Sequence, residues 1–503
     1  MSLVGVQALT SFPAQLAKMD SRATTATVKA DLEEDVGTLK LRAQTAFGVG
    51  NGRLVDSSGT VLGVNLTITD ARLQDGDSLT LHISSVQIQA SSSAFAAVPG
   101  DGSVVTWGDP DLGGGSSTVQ AHLDNVQQIQ ANDAAFAAVL GDGSVVTWGN
   151  AIYGGDRNAV QGQLKNVQQI QASEGAFAAV LVDGSVVTWG FASQGGDSSA
   201  VQDQLKTVQR IQAVRDGSFA AILGDGSVVT WGLARRGGDS RSVQNQLKNV
   251  QHIQASCSAF AAILGDGSVV TWGDTRHGGS SSDVQDQLKN VEQVQASTGA
   301  FAAILSDGSV VTWGDAARGG DSSAVKHQLK KVQQIQASGR AFAAVLGDGS
   351  VASWGHGDHG GDSSAVQDQL HNVQQIQASY YAFAAILGDG SVVTWGNALY
   401  GGDSNAAQDE LKNVQQIQAS KGAFAAIRGD GSVVTWGDSG CGGCSNAVQD
   451  QLKTVQQIQA SACAFAAILS DGSVVTWGNG YYGGDSSCAQ DRLFGYGCSV
   501  ASG

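Results

Sequence analysis

The chain has 503 residues and carries 45 Asp plus Glu against 28 Lys plus Arg, a net charge of −17 near neutral pH. Such a surface repels phosphate backbones and anionic lipid, and no Lys/Arg cluster counters it, so docking of a whole face on nucleic acid or membrane is not expected. No apolar stretch is long enough to span a bilayer, and MSLVGVQALTSF has no basic run ahead of its apolar residues, so secretion is not indicated; the expected location is the cytoplasm, with the nucleus as the alternative.

Residues 1–84 form a head that lacks the periodicity of the rest and holds nine acids against seven bases. ATVKADLE alternates as a strand should. Glu34 and Asp35 then supply the acidic entry to a helix from Val36 to about Phe47, stopped at Gly48, with Val36, Leu39, Ala43 and Phe47 on its buried face. GRLVD reads as a short strand, SSGTVLG as a turn and brief strand, and DSLTLHI as a last strand with Leu79, Leu81 and Ile83 inward. This is a β-grasp order. Its segments DVGTLKLRA, with Lys40, GRLVDSSGTVL and LTITDARLQDGDSLTLHI resemble the ubiquitin-like family, with Met1 to Arg22 supplying the first strand and a long hairpin. The chain runs from Ile83 into the next domain without a Gly-Gly terminus, so the head is not a conjugated modifier. The family's apolar recognition patch maps onto Val55, Thr80 and His82, which is mostly polar.

From residue 85 to 493 the chain is a tandem array. Trp107, Trp148, Trp189, Trp231, Trp272, Trp313, Trp354, Trp395, Trp436 and Trp477 lie 41 residues apart except for one step of 42. Each copy reads QQIQAS, an AFAAIL-like run, GDGS, VVTWG, a GGDSS-type loop and AVQDQLKN. Periods of this length mean units that cannot bury their apolar faces alone. Asp-Gly between two apolar runs signals a hairpin, and both runs are apolar on both faces, so the sheets must be sandwiched. QQIQAS adds a third strand with Ile129 and Ala131 inward, although Val126 does not fit its alternation. SSAVQDQLKN reads as one or two helical turns with Ser as N-cap, or else as a fourth strand. Residues 494–503 form a short tail.

AFAAILGDGSVVTWG resembles the repeat of the family named for the regulator of chromosome condensation. The WG…GG…AV…L…V spacing is closest to its short-blade branch, which includes a bacterial β-lactamase inhibitor with three-stranded blades. The fold class expected is therefore mainly β: a β-propeller-like array of ten repeats behind a small α/β head. The family's Gly-x-x-His reads here as Ser-x-x-Ala, its GQLG as GGDS, and its usual ring has seven blades. Ring size is open, with a closed or nearly closed ring favoured over an open solenoid because end sheets as apolar as AFAAIL need a partner.

The copies are nearly identical, so any address lies in what varies. Variation concentrates in the pair before the AF run and in the loop after Trp-Gly. Equivalent loops of a propeller gather on one rim, and their Tyr, Arg and His residues are of types enriched at protein contacts. The candidate partner-binding residues are Tyr153, Arg235, Arg236, Arg276, His277, His359, Tyr380, Tyr381, Tyr400, Tyr481 and Tyr482. The Asp residues of GGD and GDGS come singly and suit turns and caps better than Ca²⁺. Cys441 and Cys444 have C-x-x-C spacing, but no second pair or nearby His completes a zinc set. No catalytic triad, nucleophile elbow or phosphate loop is visible, and no cofactor or metal is expected. The chain is thus expected to be a non-catalytic scaffold for a protein partner. The alternative is an adaptor in the ubiquitin pathway, whose head recruits a proteasome or ligase component. Guanine nucleotide exchange ranks lower.

Overall fold

The computed structural model describes residues 2–489 apart from 12–23, 48–51, 59, 61, 64–65, 75–76 and 85. The head is a four-stranded sheet carrying one helix: β1 Ser2–Ser11, β2 Thr24–Ala30, α1 Val36–Phe47, β3 Gly52–Val55 and β4 Ser78–Ser84. The strand order is β2-β1-β4-β3, with β1 parallel to β4 and the other pairs antiparallel. At the start of α1 the Asp35 carboxylate accepts the Thr38 N–H at 2.7 Å. Val36, Leu39 and Ala43 are buried against Leu54, Ile68, Leu79 and Leu81. The side chains of Phe47 and Ile83, expected inward, lie outside those described, as does the tail. SSGTVLG makes no strand over its described residues; Asp56 instead folds it into a turn, accepting N–H groups of Ser58 and Thr60 at 2.9 Å each.

Ten three-stranded antiparallel sheets follow among the described residues, one per copy. In the second, the inner strand is Val126–Ala131, the middle Ala135–Leu140 and the outer Val145–Gly149. The misfit at Val126 is a β-bulge: the register shifts between Val126 and Gln128, and again at the equivalent place in the next eight copies. An extra residue there lets Val126 and Ile129, three apart, both point into the core.

Adjacent sheets pack a thin face on a thick one. Ala341, Ala343, Val345 and Val351 of the seventh blade meet Ile376, Phe383, Ala385 and Trp395 of the eighth, and the other interfaces repeat this. Within each blade the Phe and Trp rings stack at 5.1–5.4 Å between centroids. Each Trp indole N–H donates to the carbonyl of a left-handed glycine of the blade before it, as Trp395 does to Gly360 at 3.0 Å. The ring closes by the same contacts. Phe95 and Trp107 of the first blade pack on Ala464, Ala466 and Ile468 of the tenth, and the Trp107 indole donates to Gly483 O at 3.0 Å. The array is therefore a closed ring, and among the described residues the fourth strand weighed for SSAVQDQLKN does not form.

That stretch makes short 3-10 segments such as Ser199–Gln204, and its serine does not cap them. Ser198 is buried instead. Its hydroxyl bonds Thr188 Oγ1 at 2.9 Å and Gln202 Oε1 at 2.9 Å, while Gln202 Nε2 donates to Val186 O at 2.8 Å. A buried hydroxyl needs partners, and this relay supplies them while covering the outer edge of the blade. The capping role falls to Asp197, which accepts the Ser199 N–H at 2.9 Å.

The opposite end of each blade is its GDGS turn. Gly143 has φ +77°, and its carbonyl accepts the Val167 N–H of the next blade at 2.9 Å. Asp142, Asp183, Asp225, Asp266, Asp307, Asp348, Asp389 and Asp430 are each held below the usual carboxylate range by the following serine's hydroxyl and N–H. A carboxylate whose folded pKa is depressed stabilises the fold above its unfolded pKa of about 3.9, and that contribution is lost as pH falls through the lower folded value. The melting temperature should hold level from pH 7 to about 5 and drop below about pH 4. Thermal melts that stay flat between pH 5 and 3 would show that these turns do not act this way.

Candidate functional site

The pairs before the AF runs converge at one mouth of the central channel, where they line a cavity of about 1040 Å³. Their backbones form a circuit. Ser92 N–H donates to Asp133 O, Asp133 to Glu174, Glu174 to Arg215, Asp216 to Cys257, Cys257 to Thr298, Thr298 to Gly339, Gly339 to Tyr380, Tyr380 to Lys421, Lys421 to Ala462 and Ala462 back to Ser92, at 2.9–3.4 Å. The extra residue behind the 42-residue step sits here: in the fourth blade Arg215 accepts and Asp216 donates, work that one residue does elsewhere. The circuit holds the backbone of each variable pair while leaving its side chain free to differ.

The loops after Trp-Gly lie beside this mouth on the same face. In most blades a buried serine at the end of the inner strand ties them to it: Ser256 donates to His277 O at 2.9 Å, Ser338 to His359 O at 2.7 Å and Ser461 to Tyr482 O at 2.7 Å, while in blade two Asn132 Nδ2 donates to Tyr153 O at 2.7 Å. In seven blades the loop's entry is fixed by an Asn or Asp, as where Asn397 accepts the Leu399 N–H at 3.1 Å; Phe191, Leu233 and His356 stand there in the other three and make no such bond. Its exit is fixed by the left-handed glycine. A Cβ on Gly360 would come within 2.5 Å of the Phe383 ring.

Packing divides the loop residues into two kinds. The third residue of a loop lies against the pair of the following blade: Tyr153 covers Gly175, His277 covers Gly299 and Tyr400 covers Gly422. Large side chains there face glycine, so part of the variation is compensation between neighbours. Cys441 occupies the same loop position and Cys463 the same pair position; the two form a disulfide across blades nine and ten. Cys441 thus pairs with Cys463 and not with its C-x-x-C neighbour Cys444, which is exposed. The middle loop residue points outward. Ile152, Leu399 and Tyr481 are 63%, 76% and 81% exposed, and Arg235 and Arg276 are exposed too.

The charged residues form one sector. Arg215 faces Asp133 at 3.5 Å, Arg236 faces Asp216 at 2.7 Å, Arg276 faces Asp274 at 2.9 Å and Arg318 faces Asp315 at 3.3 Å. Arg318 also reaches the His277 ring at 3.0 Å. Burial, with Asp133 and Asp216 nearby, raises the Glu174 carboxyl above its ordinary pKa. Burial likewise raises the Cys257 thiol, so this cysteine is a thiol at neutral pH. Across the mouth lies an aromatic sector. Tyr381 stacks on Tyr400 at 4.5 Å, and Tyr380 meets Tyr381 edge-on at 4.8 Å. His359, buried beneath them, donates from Nδ1 to Tyr380 O at 2.8 Å and is held below the ordinary histidine pKa, chiefly by burial.

All eleven residues singled out in the sequence lie on this one face. Tyr153, His277, His359, Tyr381, Tyr400 and Tyr482 are partly or wholly buried by neighbours, whereas Arg235, Arg276 and Tyr481 project freely. Ile152 and Leu399 should have joined the candidates; their signal was an apolar residue at the tip of a polar loop. Among the described residues no group of three or more His, Cys, Asp or Glu could hold a metal ion, and the GGD and GDGS aspartates bond backbone N–H groups two residues on.

No family model matches the chain, and no curated protein matches it. Solved structures similar to it include yeast RCC1 (Prp20) in a crystal structure with Kap60, at 15% identity, covering 74% of this chain and 94% of that one with a TM-score of 0.32. Prp20p from Saccharomyces cerevisiae, described with its binding properties to Gsp1p and histones, matches at 15% identity over 63% and 83% of the two chains with a TM-score of 0.32. The computationally designed Ika8 protein matches at 15% identity over 62% and 96%, with a TM-score of 0.28. RCC1-type propellers are thus among the structures similar to this chain, while its description as a ring of blades rests on its own strand order and closure.

Proposed function

We propose that the protein is a non-catalytic interaction scaffold that binds a protein partner through the loop face of the ring. The observation that carries this reading is the gathering of both variable positions of every blade on one face, with Ile152, Leu399, Tyr481, Arg235 and Arg276 projecting from it. Exposed apolar and arginine side chains set around a cavity are the usual make-up of a contact surface. The described residues of the head that bond the ring do so away from this face. They sit at the turn end of the first two blades, where Lys40 pairs with Asp101 at 3.3 Å and Arg53 Nη1 donates to Asn125 Oδ1 at 3.0 Å.

Replacing the loops 234–236, 275–277 and 398–400 by the neutral Ala192-Ser193-Gln194 sequence should abolish partner capture. Photo-crosslinkers placed at Ile152, Leu399 and Tyr481 should label the partner, and one at Val182, on a turn, should not. Unchanged capture by the grafted ring, or labelling from Val182 alone, would overturn the reading.

The head's strand order, with the parallel pair β1–β4 between β2 and β3, favours a second reading in which the head is ubiquitin-like and the chain is an adaptor in the ubiquitin pathway. On that reading the full chain binds a proteasomal ubiquitin receptor, and Thr80→Arg, on β4, weakens the binding. No measurable binding by the full chain would end it.

A further inference from the structure

We propose that the aromatic sector over blades seven to nine is the docking pocket for a carboxylate-rich, acidic peptide segment of the partner; this rests on the scaffold reading and names the chemistry of what the loop face holds. The rings are contiguous. His356 meets His359 edge-on at 5.2 Å, His359 lies 4.9 Å from Tyr381, and Tyr381 stacks on Tyr400. Elsewhere a bulky loop residue such as Tyr153 or His277 is matched by a glycine of the next blade. Here the pair position holds Tyr381, so the aromatic surfaces pile up. Gly339 makes room on the channel side, where any Cβ would come within 2.8 Å of the Tyr380 ring.

The cations of this sector decide the sign of the ligand. Lys421 Nζ stands 5.7 Å from the centre of the Tyr380 ring and has an exposed side chain. Among the described residues Arg340, half-buried beside His359, faces no carboxylate within ion-pair distance, and its Nε is buried without a hydrogen-bond partner, as is His356 Nδ1. On the other side of the mouth Arg215, Arg236, Arg276 and Arg318 each face an aspartate. Asp358, which adjoins His359 in the chain and faces neither cation within ion-pair distance, is exposed at its loop tip. A protein with net charge −17 that leaves a guanidinium and an ammonium uncompensated around stacked rings presents a local attractor for anions. A carboxylate suits it best. It accepts the two-pronged bonds of a guanidinium, and the flanking tyrosines offer flat apolar surface to the peptide. The overall charge opposes a long polyanion such as nucleic acid and leaves a short acidic segment as the occupant.

The test uses the full chain and two peptides, Ac-(Glu-Tyr)₄-NH₂ and Ac-(Gln-Tyr)₄-NH₂, titrated calorimetrically. The glutamate peptide should bind and the glutamine peptide should bind at least about tenfold more weakly. Arg340→Gln and Lys421→Gln should each weaken glutamate-peptide binding by roughly tenfold, while Lys453→Gln, an exposed position beside the GDGS turn of blade nine and away from the loop face, leaves it unchanged. Should Arg340→Gln fail to fold, Lys421→Gln, an exposed position, decides alone. Equal binding of the two peptides, or glutamate binding indifferent to both substitutions, overturns the pocket. The scaffold reading would survive that outcome, because the cross-links from Ile152 and Tyr481 test it separately.

Discussion

Phe383→Ala is expected to destabilise the interface between blades seven and eight by about 3–5 kcal/mol, the usual cost of removing a fully buried phenylalanine. The ring is 0% exposed, stacks on Trp395 at 5.3 Å, and is closed over by Gly360 on one side and by the alanine face of blade seven on the other. Collapse cannot fill the hole. Gly360 has φ +87°, a conformation that admits no larger residue without strain, and Ala341 and Ala343 have no side chain to extend into the space. In a ring built of nearest-neighbour contacts the loss should concentrate locally, so hydrogen exchange of the strands 373–378 and 382–387 should speed up far more than that of blades two and three. Val182→Thr, at a 72% exposed turn position, is the control and should change little. A cost below about 1 kcal/mol for Phe383→Ala would mean that the Phe–Trp layer is not what joins the blades.

The unit of this fold was legible because its determinants are local. The Asp-Gly hairpin, the two-faced apolar runs and the Trp-Gly ending all act within one copy, and the helix Val36–Phe47 announced itself by Glu34, Asp35 and its apolar spacing. Val126 even advertised its bulge as a break in alternation. Ring size was not legible, since closure sums small rotations set by how far an alanine face lets a Phe–Trp face approach, and no single copy records the total. The serine of the SSAVQDQLKN stretch does not cap, because Ser followed four residues later by Gln serves equally as a buried hydroxyl relay once a threonine such as Thr188 stands opposite Ser198. The site was half visible. Its residues could be found by their variation, but which of them pack and which project depends on contacts between blades, as with Tyr400 over Gly422 or Cys441 on Cys463, 22 residues on. Those pairs sit at fixed offsets, so reading large residues against glycines one copy ahead would have separated the two kinds.

Deleting the tenth blade, Val455 to Gly503, should drive the chain into larger oligomers or aggregates. Ring closure joins the thick face of blade one, with Ile88, Phe95 and Trp107, to the thin face of blade ten. The deletion uncovers that thick face and also the thin face of blade nine, Ala423, Ala425, Ile427 and Val433. Each large apolar side chain so exposed costs roughly 1.5–3 kcal/mol. Nine blades could relieve this by closing a tighter ring, but every remaining interface would have to open its angle. The geometry of those interfaces is fixed by side-chain contact: the indole-to-glycine bonds are 3.0–3.1 Å in all ten, and the backbone circuit at the mouth spans only 2.9–3.4 Å. The exposed thin and thick faces are, however, complementary between two copies of the shortened chain, and a head-to-tail contact of that kind does not close upon itself in a pair. Light scattering should therefore report species larger than a monomer, growing with concentration. A monodisperse nine-blade monomer, with the Trp107 indole still protected from exchange, would show that the angle between blades is soft and that the count of ten is not dictated by the interface.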